Sequence, residues 1–130
     1  MDQETLVERQ VDDGAKIVEK LRESGFDVAA AWWMKAGEDG IWFLYIASKE
    51  VDENGIRAAY HSVNTIKGAL GQLWVDRFRV KLVSPLNPVA KDVIDILTRY
   101  PGQLPMRSGG RKLGNISIDD SYIYPLPVAA

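Results

Sequence analysis

Two neighbouring stretches, Phe26–Lys35 and Ile41–Ser48, are apolar on both faces of any strand they form. They are rich in aromatic and branched residues and are joined by Gly37-Glu38-Asp39-Gly40, which predicts a β-hairpin. Side chains alternate across a strand. One face then carries Phe26, Val28, Ala30, Trp32, Met34, Ile41, Phe43 and Tyr45, and the other Ala29, Ala31, Trp33, Trp42, Leu44 and Ile46. A hairpin with one wet face alternates apolar and polar residues. This one needs cover on both sides, or it exposes an adhesive face. Trp32 and Phe43, on the face that combines the largest side chains of both strands, are expected in the main core under at least one helix.

The flanking segments supply helices. Residues 3–24 place Val7, Val11, Val18 and Leu21 at helical spacing, with Asp12 and Lys16 set for an i,i+4 ion pair. Gly25 suits the left-handed position after the last turn. Residues 52–71 repeat the pattern through Ile56, Ala59, Tyr60, Val63, Ile66 and Leu70. A third helix is predicted after Asn87-Pro88, where Asn caps and Pro fills the first helical position. It carries Val89, Val93, Ile96, Leu97 and Tyr100 on one face and ends at Pro101-Gly102.

Further strands are predicted over Asp76–Val83, Leu104–Arg107 and Asn115–Ile118, with Tyr122-Ile123-Tyr124 as another candidate and Gly109-Gly110 as a hairpin turn. The element order is α-β-β-α-β-α-β-β. It reads as an α+β fold with a single mixed, largely antiparallel sheet of four to five strands and three helices. At 130 residues the chain fits one domain, residues 1–130, which buries about two-thirds of its unfolded surface. No metal or disulfide is needed to hold a core of that size.

Composition excludes several chemistries. With no Cys and one His, thiol nucleophiles, iron–sulfur clusters and two-His metal sites are impossible. The single imidazole, His61, falls opposite the apolar stripe of its helix and is expected at the surface. Seven residues is the longest apolar run, far below the ~20 of a membrane-spanning helix. The N-terminus starts with acids rather than the basic residues of a signal peptide. A soluble cytoplasmic protein without a membrane association is expected. No motif asks for a cofactor.

Net charge is −2, yet residues 76–112 hold eight basic and three acidic side chains, +5. Arg77, Arg79 and Lys81 share one face of their strand by the period of two. Arg107, Arg111 and Lys112 surround the Gly109-Gly110 turn, whose backbone N–H groups suit an anion. These six are the candidate binding residues, expected to form one positive surface for an anionic ligand. Cations mixed with flat aromatics also match single-stranded nucleic-acid surfaces. The Trp33–Trp42 face of the hairpin is the candidate interface of a homodimer.

No convergent acid, base and nucleophile set is visible, so a non-enzymatic binding module is the leading expectation. The alternative is a small metal-dependent hydrolase or nuclease using Asp119 and Asp120 as oxygen ligands.

Overall fold

The computed structural model describes residues 8–36, 41–71, 79–99, 106–109, 112–113, 116–117 and 120–124. Helix α1 spans Glu8–Glu23. The apolar hairpin forms as β1 (Ala30–Ala36) and β2 (Ile41–Ala47), in register from Ala30 opposite Ala47 to Ala36 opposite Ile41. Helices α2 (Glu50–Asn54) and α3 (Ile56–Gly68) follow, then β3 (Val80–Val83) and α4 (Pro88–Arg99). The tail forms β4 (Met106–Gly109), β5 (Lys112–Leu113), β6 (Ile116–Ser117) and β7 (Asp120–Ile123).

Five strands make one mixed sheet in the order β3-β2-β1-β7-β4, and β5 pairs with β6 in a separate ribbon. Among the described strands of this sheet only β2 and β3 run parallel; the other three pairings are antiparallel. The fold is therefore α+β with a mixed, largely antiparallel sheet, in the expected order of elements. It has four described helices rather than three, because the single helix expected over 52–71 breaks at Gly55. That residue adopts φ 89°, ψ 154°, an extended left-handed geometry open to glycine. Ile56, the first residue of α3, is 47% exposed.

Helices cover both faces of the hairpin, which resolves the problem its sequence poses. Ile17, Val18 and Leu21 of α1 and Ala59 and Val63 of α3 pack against Ala31, Trp33, Trp42, Leu44, Ile46, Val80 and Leu82. Val89, Ala90, Val93 and Leu97 of α4 pack against Ala30, Trp32, Met34, Ala47 and Ile123 on the opposite face. Each fully buried large apolar side chain contributes roughly 1.5–3 kcal/mol. Helix α4 starts as its sequence predicts. The Asn87 Oδ1 accepts hydrogen bonds from the Val89 and Ala90 N–H groups at 2.9 and 3.3 Å.

Four local expectations are corrected. Strand β1 starts at Ala30, not Phe26. Gly25 takes φ 85°, the Phe26 N–H returns to the Leu21 carbonyl at 2.9 Å, and Phe26 joins the α1–α3 core rather than the Trp32 face. Lys16 pairs with Asp13 at 3.5 Å, not with Asp12. Phe43, expected in the core with Trp32, is only half-buried. The Gly109-Gly110 hairpin does not join two neighbouring sheet strands, because β4 pairs with β7 while β5 and β6 pair with each other.

Candidate anion-binding strip at the sheet edge

The α4 face of the sheet extends beyond its helix. A short edge strand, β3, lies parallel to β2, pairing Tyr45 with Lys81 and Ala47 with Val83. Its outward Leu82 N–H is satisfied by the Tyr60 hydroxyl of α3 at 3.0 Å. Along β3, Val80 and Leu82 turn into the α1–α3 core while Lys81 stays exposed on the α4 side. The expected alternation of this strand therefore holds over its described part.

Phe43, Tyr45 and Lys81 meet on that side. Lys81 Nζ lies 4.3 Å from the Phe43 ring centroid, and the Arg79 guanidinium carbon lies 5.8 Å from it. Both distances fall within cation–π range. Arg79 also donates from Nη1 to the Trp42 carbonyl at 3.4 Å. Phe43 meets Tyr45 edge-on at 6.5 Å, and Tyr45 stacks nearly parallel on Trp32 at 5.5 Å. Partial burial raises the Tyr45 pKa above the ordinary tyrosine value, with Tyr60 adding to the shift. The Tyr45 hydroxyl thus stays protonated, a donor, across the neutral range.

Behind Tyr45, Trp32 is 0% exposed, and its indole N–H has no hydrogen-bond partner among the described residues. A buried donor left unpaired costs about 1–3 kcal/mol. The neighbouring tryptophan contrasts with it. Trp33 Nε1 donates to the Tyr124 hydroxyl at 2.8 Å, and that hydroxyl donates to the Val11 carbonyl of α1 at 2.6 Å. Gly14 leaves room for this chain: a Cβ there would collide with Tyr124 Oη and lie 3.1 Å from Trp33 Nε1. Burial pushes the Tyr124 pKa well above the ordinary tyrosine value; the Trp33 hydrogen bond acts in the opposite direction.

The candidate residues named from sequence are only partly assembled. Arg79 and Lys81 converge on Phe43. Arg77 and Arg111 lie outside the described residues. Arg107 is in β4, opposite Tyr122 of β7, and Lys112 is in the separate β5–β6 ribbon. Strands β3 and β4 are the two opposite edges of the sheet, about 19 Å apart at the ordinary strand spacing. The single positive surface joining Lys81 to Arg107 is therefore not formed. Arg107 and the Arg79–Lys81 pair share a stretch of sequence but not an edge.

Trp33 and Trp42, the expected dimer face, are 0% and 2% exposed beneath α1 and α3. The chain's own helices occupy that face, so these two side chains are core and not interface. Asp119 lies outside the described residues, and Asp120 sits in β7 opposite Lys35 and Gly109. Among the described residues, no group of three or more His, Asp or Glu side chains is placed to hold a metal ion. His61 is exposed on α3, as its helical position predicts. No described helix is long and apolar enough to cross a membrane.

Phe43 and Tyr45 were missed as surface residues because the sequence gives both faces of β2 the same apolar character. Register supplies the missing distinction: α4 covers Ala47 and leaves the outer part of the strand to Lys81. No family model matches the chain, and no curated protein or solved structure matches it either.

Proposed function

We propose that this chain is a non-enzymatic binding module that holds single-stranded nucleic acid on the strip formed by Phe43, Tyr45, Arg79 and Lys81. The observation that supports this reading most is the convergence of Arg79 and Lys81 on the half-buried Phe43 ring. Aromatic rings offer stacking to any base, and neighbouring cations offer contact to phosphate. The chain as a whole is slightly acidic, so attraction is confined to this strip rather than spread over the molecule.

The test is fluorescence anisotropy of a labelled oligothymidylate at increasing salt. Contact with two phosphates gives a log–log salt slope of about −1.4 for a single strand. Lys81→Glu abolishes binding, and because Lys81 is exposed, thermal stability changes by less than about 0.5 kcal/mol. Binding that survives this charge reversal, or that ignores salt, contradicts the proposal.

A further inference from the structure

The pairing register puts three side chains in one row across the α4 face. Lys81 is opposite Tyr45, and Tyr45 is opposite Trp32. Neighbours in such a row are about 4.8 Å apart along the hydrogen-bonding direction. Lys81 and Trp32 therefore flank Tyr45 on either side. The row carries three kinds of donor: an ammonium, a phenol hydroxyl and an indole N–H. Trp32 Nε1 is fully buried and has no acceptor among the described residues. Native interiors rarely leave such a donor unmatched, so this one calls for a matching acceptor.

We infer that Lys81 Nζ, Tyr45 Oη and Trp32 Nε1 form one oxyanion site, which takes a phosphate group of the bound ligand. The inference rests on the strip being the binding surface. Lys81 supplies the charge at the open end of the row. Tyr45 is stacked on Trp32 and half-buried itself; in this proposal its ring turns aside to admit the anion. The anion's oxygens then accept from the indole and the phenol, replacing a missing hydrogen bond with a charge-assisted one. Lys81 leaves the Phe43 ring to do so. A cation–π contact at an exposed site is weak enough to be exchanged for an ion pair.

The experiment follows the indole N–H resonances of the uniformly ¹⁵N-labelled chain. Its four tryptophans give four resolved cross-peaks. Inorganic phosphate is titrated first and acetate second. The site predicts that phosphate moves the Trp32 indole proton downfield and saturably, with the Trp33 peak fixed. Lys81→Met then weakens phosphate binding by about tenfold or more. Phosphate that perturbs the amides around Lys81 but leaves the Trp32 indole unmoved overturns the site. If the oligonucleotide still binds in that case, the strip reading stands alone. Acetate that moves the Trp32 peak at the same concentration as phosphate overturns the choice of phosphate. If neither phosphate nor the oligonucleotide produces any change, both the site and the strip reading fall.

Discussion

Trp32 and Trp33 are adjacent in β1 and fully buried, and they differ in what their indole N–H groups meet. Trp33 lies under α1 and α3, and its N–H enters a chain through Tyr124 to the Val11 carbonyl. Trp32 lies under α4, and its N–H has no hydrogen-bond partner among the described residues. The same contrast runs along the rest of the sheet. On the α1–α3 face the hairpin's apolar side chains Trp42, Leu44 and Ile46 are all buried. On the α4 face Phe43 and Tyr45 are only partly buried, Tyr45 packing against the α4 cluster, and a lysine from the edge strand lies over the Phe43 ring. Two helices complete one face, and one helix leaves the other unfinished at its β3 side. The difference teaches that an apolar strand face need not be wholly core. Its outer part is where this chain has surface to offer a ligand.

The sharpest way to break this comparison is to truncate adjacent residues of β2. Leu44→Ala removes a side chain buried under two helices and should cost about 2–5 kcal/mol. Phe43→Ala, one residue earlier on the half-covered face, should cost about 1 kcal/mol. Urea denaturation of both variants measures the gap. Equal losses would show that the α4 face is as closed as the other.

A somewhat smaller effect tests the polar chain behind Trp33. Gly14→Ala places a methyl group against Tyr124 Oη and should destabilise by about 1–3 kcal/mol. Gly68→Ala, at the end of α3 with open space around it, serves as the control and should stabilise by about 0.4–1 kcal/mol. If Gly14→Ala is as well tolerated as its control, α1 does not need to approach Tyr124 closely.

The smallest effect is one of pH. The folded Tyr124 pKa is raised, so its neutral form is the one the fold stabilises. Its contribution is complete below the unfolded tyrosine pKa of about 10 and is lost as pH rises above it. Tyr124→Phe should therefore show a shallower loss of stability between neutral and strongly alkaline pH than the parent chain. Parallel curves would mean that Tyr124 ionises as easily folded as unfolded.

Much of the architecture was legible before the structure. The doubly apolar hairpin demanded cover on both sides, and Asn87-Pro88 marked the start of the helix that supplies half of it. Period-two alternation placed Lys81 on the exposed side of β3. The break at Gly55 was missed: the expected helix starts at Asp52 although its apolar stripe begins only at Ile56, just after the glycine. The separation of Arg107 from Lys81 was not legible, since sequence proximity says nothing about which sheet edge a strand takes. The Trp33–Tyr124–Val11 chain joins residues 91 and 113 positions apart, beyond any local pattern. Trp33 and Trp42 read as a surface because the sequence does not show which sheet face each helix covers; the three expected helices cover both.

The most direct measurement is the indole region of the ¹H–¹⁵N spectrum of the free protein, recorded with solvent exchange and repeated for Tyr124→Phe. Both tryptophans are buried, so both indole protons should exchange slowly. The Trp33 proton should lie downfield, as a hydrogen-bonded donor does, and should move upfield when the Tyr124 hydroxyl is removed. The Trp32 proton should lie upfield and stay there in both spectra. A Trp32 proton at a hydrogen-bonded position, or one that exchanges rapidly with water, would contradict the claim that the two faces are finished differently.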